Sequence, residues 1–187
     1  MTKEKNTTIA ASGFKDLEDI GYFQFEEEFM EKGVRCIPMI VRFKLDKAGI
    51  KLKLAEWNKF STEERVQLAR QSCKDDFDTV SYRKNLDFLV NKYTGQEATP
   101  LQLEKHPAWA NVDRLPQVLT DKLTEFGWSI DQKDWKELTD LQRFALIKLC
   151  RPGHESRNFP KAVKEFGLEK NEEQTGQLHL NKKEDTV

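Results

Sequence analysis

Several features of common protein classes are missing from this sequence. No apolar run approaches the roughly 18 residues that a membrane-spanning helix needs, and no glycine-rich phosphate loop or nucleophile elbow is present. The net charge is only −1, which removes the bulk electrostatic argument for a nucleic-acid binder. Residues 1–12 lack the apolar core of a secretory signal. These absences favour a cytoplasmic protein that acts on neither membranes nor nucleic acid and has no recognisable catalytic centre.

The sequence also contains few cysteines. There are three, an odd number with no C-x2-C pair, which favours a reducing compartment over a disulfide framework. Cys36, Cys73 and Cys150, together with His154, could still hold zinc or an iron–sulfur cluster. Lone cysteines are more often small buried hydrophobic residues, so a metal or cofactor carrier is kept as the alternative interpretation.

The most informative feature that is present is an internal repeat. Residues 37–70 recur without a gap as residues 115–148, 78 positions later. Identical residues at aligned positions are Pro38 and Pro116, Leu45 and Leu123, Gly49 and Gly127, Trp57 and Trp135, Arg65 and Arg143, and Leu68 and Leu146. The repeat predicts two copies of one helical unit.

Each copy has the same pattern of signals for helices. An apolar helical face opens it, made of Ile37, Ile40, Val41, Leu45 and Ala48 in one copy and Leu115, Val118, Leu119, Leu123 and Phe126 in the other. Gly49 and Gly127 then stand where a helix ends in a left-handed residue. Capping boxes at Ser61 and Thr139 open the next helix. We therefore predict an all-α single domain whose two duplicated units share one core.

The segments around the copies complete the predicted organisation. Residues 75–93 indicate a longer helix with an apolar face, which is formed by Tyr82, Leu86, Leu89, Val90 and Tyr93. Thr99 and Pro100 are typical of the first residues of another short helix. We predict a helical domain over residues 13–168, with disordered ends at residues 1–12 and 169–187.

The densest polar cluster follows the last helix of the second copy. It consists of Arg151, His154, Glu155, Arg157 and Asn158. One interpretation is a helix stop, because cationic side chains are favoured at a helix C-terminus. The other is a binding loop held by a rigid helix. The duplicated tryptophans are expected in the core, with Arg65 and Arg143 stacked on them or bonded to helix-end carbonyls.

Two sequence blocks resemble a known family. The first runs Val-Arg-Cys-Ile-Pro-Met at residues 34–39 and continues through Val-Arg-Phe-Lys-Leu-Asp at residues 41–46. The second covers residues 138–149 and is followed by Arg-Pro at 151–152 and His-Glu at 154–155. Both are similar to the nitrate reductase associated protein family, over about residues 23–168.

The resemblance implies a small cytoplasmic accessory protein that helps assimilatory nitrate reductase, a molybdenum and iron–sulfur enzyme, to become active. It implies no catalytic residues and no cofactor for the chain itself. We therefore predict a non-enzymatic, monomeric maturation factor that binds the apoenzyme. The predicted partner-binding residues are Arg35, Arg42, Arg151, His154, Glu155 and Asn158.

Overall fold

The computed structural model describes residues 23–26 and 36–170, apart from the side chains of His154 and Glu155. The chain divides into two compact units, Met1–Glu104 and Lys105–Val187. The described residues are mostly helical, with eight α-helices and two short strands. A mainly helical fold was predicted and is confirmed. The internal duplication and the shared core stay predictions, and the expected disordered ends lie outside the described residues, except for residues 169–170.

The first unit contains five helical elements and a two-stranded sheet among its described residues. In chain order they are a 3₁₀ helix Gln24–Glu26, α1 Met39–Ala48, β1 Ile50–Lys51, α2 Leu54–Trp57, α3 Thr62–Arg70, α4 Asp76–Thr94 and β2 Thr99–Pro100. Pro38 precedes α1 and has no side-chain acceptor to cap it. The buried carboxylate of Glu26 takes that role, because its Oε1 accepts the backbone N–H of Met39 at 2.8 Å.

Helix α1 ends at Gly49, whose φ of 67° is left-handed as predicted. The chain then enters β1, which pairs antiparallel with β2 so that Ile50 faces Pro100. The expectation that Thr99 and Pro100 begin a helix is therefore wrong. A proline lacks the N–H of a ladder bond, and a short edge strand tolerates that loss.

The core of the first unit lies between α1 and α4, which pack against each other. All five residues of the predicted α1 face are buried. On α4, Tyr82, Leu86, Leu89 and Val90 are buried, which confirms four of the five residues of the predicted inner face. The fifth, Tyr93, is half-buried. Asp75 caps the start of the helix through its side chain, which accepts the backbone N–H of Asp78, and Gly95 follows its last residue.

The second unit is helical in its described residues. Its elements are a 3₁₀ helix Ala108–Ala110, α5 Gln117–Thr124, α6 Gln132–Glu137, α7 Asp140–Leu149, a 3₁₀ helix His154–Asn158 and α8 Phe159–Glu165. After α5, the N–H of Gly127 bonds the carbonyl of Thr124, and that of Trp128 bonds the carbonyl of Leu123. This is a Schellman motif with Gly127 at its left-handed position.

The apolar face predicted for α5 is only partly correct. Leu119 and Leu123 are buried, but Val118 is 45% exposed and Phe126 is 41% exposed. Phe126 lies beyond the end of α5 and stacks on Trp128, with ring centroids 5.0 Å apart. Burial on α5 is thus confined to a narrower stripe than the one predicted for both copies.

Several aligned positions of the two copies have the same local structure. Gly49 and Gly127 have φ values of 67° and 68°. Ser61 and Thr139 each form a capping box, as predicted. These positions share their backbone conformation or helix capping, and the duplication itself stays a prediction.

Candidate functional site

The predicted binding cluster follows helix α7, whose own position is firmly held. The helix starts with the capping box of Thr139 and Gln142. Phe144, Leu146 and Leu149 are fully buried, so the end of α7 is fixed by packing in the second unit. Binding residues are commonly found on loops that a rigid scaffold such as this helix positions.

The backbone after α7 contains a short helix where a loop was predicted. Residues 151–153 make a bend, and His154–Asn158 forms a 3₁₀ helix that leads into α8. Gly153 has a φ of 149°, a conformation that side-chain-bearing residues rarely adopt. The carbonyl of Gly153 accepts the N–H and the hydroxyl of Ser156 at 3.2 and 2.7 Å. The segment is therefore a hydrogen-bonded turn between two helices.

The predicted site residues on this turn have different surroundings. Arg151 is exposed at the C-terminal end of α7, where the helix dipole favours a cation. Arg157 is also exposed. Asn158 is only 8% exposed and offers little surface to a partner. His154 and Glu155 belong to the 3₁₀ helix, and their side chains are outside the described residues.

The two predicted arginines of the first unit are Arg35 and Arg42. Arg35 lies outside the described residues. Arg42 is half-buried on α1, and its Nε donates to the carbonyl of Ile37 at 2.8 Å. This bond ties Arg42 to the start of its own helix. The partner-binding role of all six residues stays a prediction.

The cysteines of the alternative interpretation are mostly buried. Cys36 is half-buried, while Cys73 and Cys150 are buried. The Cys73 sulfur lies 3.5 Å from the Thr79 hydroxyl. The pKa of Cys150 is raised to about 12. Burial is the main cause, Lys122 opposes the shift, and Glu125 adds to it. Since metals bind the thiolate, this environment disfavours Cys150 as a ligand.

Metal ligation requires several ligands in one place. Within residues 23–26 and 36–170, no three or more His, Cys, Asp or Glu residues are gathered where they could hold a metal ion. The side chain of His154 is not among the described groups. The cysteine-based carrier stays a prediction.

A comparison with protein families decides the family of the chain. The family model for conserved nitrate reductase-associated proteins matches residues 22–166. The chain belongs to this family. The match includes all eight α-helices of the described residues and both tryptophan–arginine pairs.

The other two comparisons add no relative. No curated protein and no solved structure matches the chain. In the part of the chain that the structure describes, no helix is both long enough and apolar enough to cross a membrane.

A further group of residues was missed by the sequence reasoning. Phe77, Val80 and Phe88 on α4 are 83%, 52% and 64% exposed. They lie three and eight residues apart, on the helix face opposite Tyr82 and Leu86. The signal was visible as a second apolar stripe in residues 75–93. It was overlooked because the inner face alone satisfied the helical periodicity.

Proposed function

We propose that the chain is a non-enzymatic accessory factor that binds assimilatory nitrate reductase in the cytoplasm and assists its maturation. The family match over residues 22–166 carries this proposal, because the family is named for its association with nitrate reductase. The most prominent polar cluster follows a packed helix. Such a position suits recognition of a protein partner.

Within this proposal, the turn after α7 contacts the enzyme through its exposed cations. Arg151 stands at a helix C-terminus and is exposed to solvent. A guanidinium can form two parallel hydrogen bonds to one carboxylate, which fixes the geometry of the contact in addition to the electrostatic attraction. The contact is thus expected to involve an acidic surface of nitrate reductase. The chain acts as a monomer in this proposal, with one such turn per molecule.

The first test is retention of nitrate reductase by the tagged full-length chain in extracts of nitrate-grown cells. Recovery of the enzyme, stronger in its cofactor-free form, is the expected result. Failure to recover it from an extract rich in nitrate reductase would contradict the proposed function.

The second test concerns the turn itself. Cells that lack the chain are complemented with the wild type, with Arg151→Ala, or with Arg114→Ala, a matched change of an exposed arginine in the same unit. We expect lower nitrate reductase activity with Arg151→Ala and full activity with Arg114→Ala. Equal activity for both variants, also when His154→Ala, Glu155→Ala and Arg157→Ala are added to Arg151→Ala, would exclude the turn as the contact. The carrier alternative is tested by the metal content of anaerobically purified protein.

A further inference from the structure

Helix α4 has an apolar face that nothing in the described part of the chain covers. We call Phe77, Val80, Lys84 and Phe88 the α4 strip. The four residues recur at helical spacing and therefore lie along one side of the helix. From Phe77 to Phe88 the strip is roughly 16 Å long, at about 1.5 Å per residue. Its three apolar members are all more than half exposed.

This strip makes α4 apolar on two opposite sides. The inner side is buried through Tyr82, Leu86 and Val90. A surface helix normally shows one apolar stripe and one polar face, whereas a helix with apolar residues on both sides is normally covered on both. Contiguous exposed apolar residues on a soluble protein mark interaction surfaces. The pattern therefore indicates that a second surface packs on α4.

The charges around the strip indicate the chemistry of that surface. The flanking cations have acidic neighbours: Arg83 Nε lies 4.0 Å from Asp87, and Lys92 Nζ lies 2.7 Å from Glu64. Lys84, in the middle of the strip, is exposed and makes no ion pair within the described residues. Covering the strip would remove Lys84 from water, so the covering surface must supply an anion to it.

The position of Lys84 also argues against a second copy of the chain as the occupant. A two-fold contact pairs a surface with itself. Lys84 lies close to the midpoint between Phe77 and Phe88. Packing the strip on its own copy would bring two lysines together, and like charges in a buried contact are unfavourable.

We propose that the α4 strip is the docking surface for an amphipathic helix of nitrate reductase that has an apolar row and a carboxylate facing Lys84. This inference rests on the proposed function and assigns to it a contact surface in the first unit. The two phenylalanines are the apolar anchors of this contact. Lys84 fixes the register of the bound helix through its ion pair.

The test is the affinity of purified nitrate reductase for the purified full-length chain, measured by titration. We expect Phe77→Ser combined with Phe88→Ser to raise Kd by at least about tenfold, as loss of apolar anchors does in protein contacts. Lys84→Glu is expected to weaken binding by a similar factor. The matched control is Leu54→Ser, because Leu54 is 49% exposed in the same unit but lies outside the strip. Its Kd should equal that of the wild type.

We expect every variant to fold, because all changed side chains are exposed. Thermal unfolding of each variant should match the wild type within a few degrees, and a variant that unfolds early is replaced by Phe77→Gln with Phe88→Gln. Equal Kd values for the wild type and the folded strip variants would overturn the docking surface and leave the proposed function standing. No binding by the wild type would overturn both.

A crosslinking experiment identifies the occupant. Photoreactive benzoylphenylalanine is placed at position 88 of the full-length chain and irradiated with nitrate reductase present. A crosslink to a helical peptide of nitrate reductase that contains Asp or Glu is the expected product. A crosslink only to a second copy, or only to peptides from residues 1–22 of the same chain, would overturn the proposal.

Discussion

The guanidinium of Arg143 lies over the indole of Trp135, with its central carbon 5.8 Å from the ring centroid. The same group donates from Nη1 to the carbonyls of Trp135 and Leu138, and from Nε to that of Trp109 at 2.8 Å. A single side chain thereby donates to carbonyls at the ends of α6 and of the 3₁₀ helix Ala108–Ala110, where the helix itself supplies no N–H donor. The flat shape and several donors of arginine suit this position, which a lysine could not fill.

The equivalent pair in the first unit is Arg65 over Trp57, at 5.6 Å. Arg65 is half-buried, whereas Arg143 is 4% exposed. We expect Arg143→Ala to lower the free energy of unfolding by about 2–4 kcal/mol, since buried carbonyls lose their donors. Arg65→Ala should cost about 1–2 kcal/mol. Denaturant unfolding monitored by tryptophan fluorescence measures the loss in each variant. Equal losses would contradict the expectation that Arg143 contributes more to stability than Arg65.

The glycines that end α1 and α5 provide a matched comparison. Both are left-handed, with φ near 67° and 68°, so alanine at either position should cost about 1–2 kcal/mol in backbone strain. A Cβ at Gly127 would meet nothing within 4 Å, but one at Gly49 would lie 3.2 Å from the carbonyl oxygen of Leu101. We therefore expect Gly49→Ala to be the more destabilising of the two in thermal or denaturant unfolding. Equal losses would show that the chain around Leu101 moves aside freely, and a larger loss at Gly127 would contradict the prediction.

Local features of the fold could be predicted from the sequence because they depend on neighbouring residues. The capping boxes at Ser61 and Thr139 and the left-handed glycines are examples. The cap that Glu26 provides to Met39 could not be predicted, because it joins residues 13 positions apart. The pairing of Thr99 with Lys51 was hidden for the same reason. A Thr-Pro pair has the same local signal before a helix and at an edge strand.

The candidate site was predictable only as a cluster of polar residue types. The sequence placed Arg151 after a packed helix, and the structure finds it exposed there. It could not distinguish Asn158, which is buried, from its exposed neighbours, since burial depends on how α8 packs against α7. The apolar strip of α4 required knowledge of which face of the helix is covered.

Buried Lys44 predicts an unusual dependence of stability on pH. Its Nζ donates to the carbonyls of Ala69 and Gln71 at 2.5 and 2.6 Å. Burial lowers the pKa of Lys44 from 10.5 to about 8, an effect that Cys73 partly opposes. Between these two values the unfolded chain holds a proton at Lys44 that the folded chain has lost. The contribution of Lys44 to the free energy of unfolding therefore increases as pH rises between these two pKa values, and it stays constant above them.

The measurement compares the wild type with Lys44→Met. Groups that titrate alike in both proteins contribute equally to the two free energies of unfolding, so their effect cancels in the difference. The free energy of unfolding of the wild type relative to the variant should increase by about 1–2 kcal/mol between pH 7.5 and 9.5, after allowance for solvent screening. A difference that stays constant with pH would show that Lys44 titrates in the folded chain as it does in the unfolded one.

The hydroxyl of Tyr82 is a buried group whose removal is expected not to destabilise the protein. Tyr82 is fully buried, and its hydroxyl has no hydrogen-bond partner within the described residues. Burial, with a smaller effect from Cys73, raises the pKa of Tyr82, so the group stays protonated. A buried hydroxyl without a partner costs about 1–3 kcal/mol. Its ring also lies 5.9 Å from the ammonium of Lys44, a contact that phenylalanine would keep.

We therefore expect Tyr82→Phe to leave the protein as stable as the wild type or about 1 kcal/mol more stable. Tyr93→Phe is the control, because the Tyr93 hydroxyl is one of the groups that lower the pKa of Glu64, and its removal should lower stability by about 0.5–1 kcal/mol. Denaturant unfolding of the two variants at neutral pH gives both values. A loss of 1 kcal/mol or more in Tyr82→Phe would mean that a water molecule or another group bonds this hydroxyl in the folded protein.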